Sequence, residues 1–136
     1  MKLKDIKSPR DIKNLTVDEL KSIAAEMRQA VLGRCAAVSG HVSPNLGDIE
    51  AVIALHYVFD APVDSIVFDV SHQDFAHKML TGRVDAFIDL ARYSSVGEFP
   101  HSTFPIQISS IVFARRHASI EFFLTSSLRT PKIIFK

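Results

Sequence analysis

His41 and His72 are the residues around which chemistry can be built. His41 follows Ser39 and Gly40 in a turn and is trailed by Ser43 and Asn45; His72 comes directly after the run Ser65-Ile66-Val67-Phe68-Asp69-Val70, which has the make-up of a buried strand. An imidazole can donate, accept or carry a proton near neutral pH, which suits it to face a ligand. In open α/β sheets ligands sit beyond the carboxyl ends of strands, where loops and helix amino ends present free N–H groups. His72 occupies such a position. If Gln73 opens a helix, an anionic group there accepts hydrogen bonds from the first-turn amides and from the His72 ring; otherwise His72 merely caps that helix. His41, in a loop with Ser43 and Asn45, carries the same pair of readings.

The remaining reactive side chains are less specific. His72 and His77 are five residues apart and diverge by about 140° on a helix, so they do not share a zinc site as i and i+4 histidines do. His56 lies inside an apolar helical pattern and reads as a core histidine. His77, Lys78 and Arg83 form a basic cluster able to attract phosphate, although a solvated helix face is the commoner outcome. Cys35 is the single cysteine, too few for an internal disulfide, and reads as a buried inert thiol. No glycine-rich phosphate loop or nucleophile elbow is present.

These side chains need a scaffold. Ser8 and Pro9 mark a short helical turn. Thr16 and Glu19 make a capping box, with Leu15 and Leu20 as a hydrophobic staple. From there Leu20, Ile23, Ala24, Met27, Ala30 and Val31 recur at three- and four-residue steps, predicting an amphipathic helix to about Val38. Ser39-Gly40 ends it, glycine supplying the left-handed conformation. A loop through His41, Ser43, Pro44 and Asn45 follows. A second helix starts around Gly47 and runs to Phe59, apolar on most faces and so expected to be buried on more than one side, with the turn Asp60-Ala61-Pro62 after it. Ser65–Val70 reads as a strand of a covered parallel sheet. Gln73–Leu80 reads as a helix stopped by Thr81-Gly82, and Val84–Ala91 as another with Phe87, Ile88 and Leu90 inward. Beyond Phe99 the pattern fades; Ile108–Phe113 and Ser119–Leu124 are the strand candidates there. The fold class expected is therefore α/β, with a helix-rich amino terminus and at least one parallel-type strand.

With 136 residues and 47% hydrophobic content the chain suits one domain with a real core. Its formal charge of +1 gives no field for a nucleic-acid or membrane-surface partner. The amino terminus lacks the apolar segment of a secretory signal, and the longest apolar run, Ala51 to Phe59, is far shorter than the roughly 20 residues of a membrane span. A cytoplasmic protein is the expectation.

Several separated segments together carry a resemblance. Gly40-His41 with Asn45-Leu46-Gly47 and Glu50, then Ile53 through Pro62, then Asp69-Val70-Ser71-His72-Gln73, and His77-Lys78-Met79-Leu80-Thr81-Gly82-Arg83 resemble the amino-terminal part of the 1-deoxy-D-xylulose-5-phosphate synthase family, which is transketolase-like. The resemblance covers about residues 1–99 and implies part of a thiamine-diphosphate-binding domain. It implies an enzyme that condenses pyruvate with glyceraldehyde 3-phosphate, with loss of carbon dioxide, in isoprenoid precursor and thiamine biosynthesis. Thiamine diphosphate and Mg2+ are the family's cofactors, and complete members are homodimers. By the same resemblance His72 contacts thiamine diphosphate, His41 is the catalytic candidate near the reacting carbons, and Ser43 and Asn45 line the pocket, with His77 and Arg83 as weaker candidates.

The departures lie downstream. Ser71 stands where the family commonly has glycine, and Asp74-Phe75 replaces a pair that is usually small or aromatic. The family continues with a Gly-Asp-Gly segment that binds magnesium and the diphosphate, and this chain has no glycine after Gly97, so no metal ligand is assigned. His101-Ser102-Thr103 echoes another family segment only superficially. Residues 100–136 are read as a divergent tail, frameshifted or disordered. The chain alone is expected to be inactive; the alternatives are a non-catalytic interaction module or one half of a split enzyme.

Overall fold

The computed structural model describes residues 1–61, 63–68, 72–97 and 132–135. Its main support is helix α1, Val17–Val38. Thr16 and Glu19 form the expected capping box: Thr16 Oγ1 accepts from the Glu19 N–H at 3.4 Å, and Glu19 Oε2 accepts from the Thr16 N–H at 2.9 Å. Ile23, Ala24, Met27, Ala30 and Val31 form its buried face, and Leu15 and Leu20 pack against the same core. The helix ends as glycine chemistry requires, with one change. Ser39 takes the left-handed φ of 64°, and Gly40 has a φ of 146° where a Cβ would lie 3.1 Å from Cys35 Sγ.

The expected loop at His41–Asn45 is instead a short helix, α2, Val42–Gly47. Pro44 falls in its first turn, where a missing N–H is not felt. Asp48 joins it to α3, Ile49–Val58. Only one side of α3 is covered. Ile49, Val52, Ile53 and His56 are buried, while Tyr57 and Val58 are exposed, so burial on several sides does not hold. The Lys13 ammonium closes its carboxyl end, donating to the Tyr57 carbonyl at 3.1 Å and the Phe59 carbonyl at 2.8 Å and pairing with Asp60 at 2.9 Å, a favourable place for a cation.

The α/β expectation is overturned here. The described residues are mostly helical, and strand pairing among them is confined to β1, Ser65–Phe68, and β2, Lys132–Phe135, which pair in parallel. Two four-residue segments make no sheet layer for helices to cover. The strand expected at Ser65–Val70 is present as Ser65–Phe68, with Ile66 and Phe68 buried, but most of the core is filled from the helices and the amino-terminal turns. Leu3, Ile6 and Ile12, from turns at Leu3–Asp5 and Pro9–Ile12, are as buried as any helical residue. Asp69, Val70, Ser71, Pro62, His101-Ser102-Thr103 and the strand candidates Ile108–Phe113 and Ser119–Leu124 lie outside the described residues.

Helix α4 spans Phe75–Lys78, later than the Gln73 start expected, and continues through a π-type turn, Met79–Arg83. Gly82 stops it with a φ of 88°, and a Cβ there would meet the Lys7 carbonyl at 2.8 Å. Helix α5, Asp85–Ile88, leads into a 3-10 turn at Leu90–Ser95. Phe87 is inward as expected, but Ile88 and Leu90 are exposed, because the helix ends before a second inward turn forms. Arg34, 4% exposed, ties this end to α1 by donating to the Val96 carbonyl at 2.7 Å while lying over the Phe75 and Phe87 rings.

Candidate functional site

His41 and His72 meet. His41 is the residue before α2, His72 lies in the turn before α4, and their ring centroids are 4.5 Å apart at 45°. The His41 residue is exposed and His72 half-buried, so the pair lies at the surface. Asn45 sits beneath, fully buried. Its Nδ2 donates to the His41 and His72 carbonyls, both at 2.7 Å, and its Oδ1 accepts from the Phe75 N–H at 3.0 Å. Ser43 is exposed. The Phe75 N–H, which opens α4, is thus taken up by Asn45.

The basic cluster is corrected as well. His77 and Lys78 are 3% and 1% exposed, not on a solvated face. Lys78 Nζ pairs with Asp74 at 2.7 Å and donates to the Gly97 carbonyl at 2.9 Å. Burial lowers the Lys78 pKa against the pull of Asp74, and burial raises that of Asp74 to about 6 despite Lys78. Arg83 donates to Thr81 Oγ1, whose hydroxyl in turn donates to the His77 carbonyl.

His56 is the core histidine expected. Its Nε2 shares a hydrogen bond of 2.9 Å with Nδ1 of His77, and burial drives the pKa of His56 down to about 4 and that of His77 well below its ordinary value. Both rings are therefore neutral across physiological pH.

Sequence reasoning missed Asp48. It is 6% exposed, neither carboxylate oxygen has a hydrogen-bond partner among the described residues, and burial, then the nearby Asp74, raises its pKa to about 7. Its place between two helices was the available signal, read only as a helix start.

Thiamine diphosphate asks for hydrogen-bonding groups and for compensation of its charge. The facing imidazoles fit the first need. For the second, Lys78 is already committed to Asp74, and among the described residues no group of three or more His, Cys, Asp or Glu side chains is arranged to hold a metal ion.

Comparison with known proteins defines the class first: the relatives it finds are synthases of a single family. The family model for 1-deoxy-D-xylulose-5-phosphate synthase matches residues 3–120, and the chain belongs to that family as its amino-terminal part. It is 47% identical over 98 residues to 1-deoxy-D-xylulose-5-phosphate synthase 1 of Geobacter metallireducens, covering 72% of this chain and 16% of that protein. The synthases of Dictyoglomus turgidum and Desulfotalea psychrophila are 42% and 45% identical over 99 and 95 residues, covering 73% and 70% of this chain and 16% and 15% of theirs. The chain spans about a sixth of the length of the curated relatives it matches. No helix among the described residues is long and apolar enough to cross a membrane.

Proposed function

We propose that the chain carries the histidine half of a thiamine diphosphate site and, in a complete protein, serves the condensation of pyruvate with glyceraldehyde 3-phosphate. The observation that carries this reading is the approach of His41 and His72 to 4.5 Å from two separate segments. When bound, the cofactor supplies the electron sink for decarboxylation. The chain's own part is narrower: His72 holds the cofactor by hydrogen bonding, and His41, the more exposed ring, donates or accepts a proton beside it. Ser43, exposed on α2 two residues after His41, is the weaker candidate for the same pocket. In this reading the part shared with the curated relatives, close to a hundred residues, is the family portion, the family model reaches residue 120, the rest of the chain to residue 136 is a divergent tail, and the working protein is a cytoplasmic homodimer.

The isolated chain should not turn over, because the Gly-Asp-Gly segment for Mg2+ is missing from its sequence. Calorimetry with thiamine diphosphate tests the site: the chain should bind it weakly, and His72→Ala should abolish the heat. Equal binding by the chain and by a folded His41→Ala/His72→Ala double variant would refute the assignment. Turnover of both substrates by the purified chain, lost in His72→Ala, would refute the inactivity.

One observation favours a second reading, an interaction module or one half of a split enzyme. A groove of about 540 Å3 runs between α1 and α3, lined by Leu15, Val17, Leu20, Ile53, Tyr57 and Val58 among others. Exposed apolar surface of this kind marks docking sites. Mixing with a chain carrying the Gly-Asp-Gly segment separates the two: restored activity means a split enzyme, and binding without thiamine diphosphate means a module.

A further inference from the structure

We infer that Asn45 is a positioning residue for the two histidines and makes no contact with ligand, an inference that rests on His41 and His72 being the ligand-facing pair. An asparagine side chain has two N–H donors and one carbonyl acceptor. Here both donors are spent, on the His41 and His72 carbonyls at 2.7 Å each, and the oxygen accepts from the Phe75 N–H at 3.0 Å. The orientation of the amide is fixed by its partners. Exchanging oxygen and nitrogen would set an acceptor against two carbonyls and a donor against an N–H. With its residue 0% exposed, Asn45 has no donor left to offer a cofactor.

What the three bonds accomplish is geometric. His41 belongs to the turn between α1 and α2, and His72 to the turn before α4, so nothing in the local chain sets their separation. One planar amide grips both backbones at the histidines themselves and a third backbone at the start of α4. The imidazoles are thereby delivered to one corner from opposite sides. Sites whose reactive groups sit on turns rely on such a buried support to hold their geometry.

The test uses the chain without ligand first. In the NMR spectrum of the wild type, both Asn45 side-chain amide protons should exchange slowly with solvent, and the His41 and His72 ring protons should show mutual Overhauser effects. Fast exchange of either amide proton would overturn the inference without any variant. Asn45→Asp keeps an acceptor for the Phe75 N–H but removes both donors, whereas Asn45→Leu removes all three bonds. In whichever variant retains the resonances of α1, the inter-ring effects should vanish; their persistence would overturn the inference.

Thiamine diphosphate is added next. Its affinity should fall about tenfold or more in the folded variant, the scale on which loss of an orienting partner weakens a ligand site. If the wild type does not bind it yet the ring contact depends on Asn45, the cofactor reading fails and the clasp stands. If wild type and variant bind it equally although the ring contact is gone, the clasp has no part in the site.

Discussion

Asp48 is a carboxylate held against its own solvation. An acid whose pKa rises from 3.8 to about 7 on folding weakens the fold wherever the unfolded chain ionises and the folded one does not. Below pH 3.8 both states are protonated and nothing is lost. Between about pH 4 and 7 stability drains, and above that the loss is constant. Asp48→Leu, similar in shape, should therefore stabilise the chain above pH 7 by up to about 4 kcal/mol, at roughly 1.4 kcal/mol per unit, and have no such effect at pH 3. Urea unfolding at the two pH values checks both the gain and its disappearance. The same residue scale explains what could not be read in advance. Asn45 is a polar residue among other polar loop residues, and its role emerges only when His72 and Phe75, distant in sequence, arrive beside it.

At the scale of elements, the legible parts were those whose signals are local. The Thr16–Glu19 capping box and the three- and four-residue steps from Leu20 to Val31 located the start and the buried face of α1, and its end at about Val38, and Thr81-Gly82 located the stop after α4. Thr16→Ala should lower stability by about 1 kcal/mol, the usual worth of such a cap, measured by thermal or urea unfolding. Gly82→Ala should cost more than the ordinary glycine-to-alanine change, because it combines a φ of 88° with a 2.8 Å approach to the Lys7 carbonyl; destabilisation beyond about 1 kcal/mol is expected. What failed depended on distant partners. The strand-like run after Ser65 was promoted to a sheet layer because composition cannot show how many neighbours a strand finds. The cluster His77-Lys78-Arg83 looked solvated because the four-residue step from Asp74 to Lys78 foretells their pairing but not its burial.

For the whole molecule, buried titratable groups oppose one another. His56 and His77 lose protons on folding, so as pH falls below 6.5 the unfolded state takes up protons that the folded one refuses, and stability declines, toward about pH 4 in the case of His56. Asp48 and Asp74 act in the reverse sense over about pH 4 to 7 and pH 4 to 6. The two sets of groups therefore offset one another in part between pH 4 and 6. Asp48→Leu, lacking one of the opposing acids, should lose roughly 1.4 kcal/mol per unit more than the wild type as the solution is acidified through that window. Parallel profiles for variant and wild type would contradict this. The hydrogen bond between His56 and His77 has a consequence of its own. Because His56 Nδ1 lacks a partner among the described residues, and a stranded lone pair is tolerated better than a stranded N–H, His56 keeps its hydrogen on Nε2 and hands it toward His77. The ring on α4 must then be the Nε2–H tautomer too. The tautomeric states of two helices are thus slaved to a single hydrogen atom, and nitrogen-15 shifts of His77 should report any replacement made at His56.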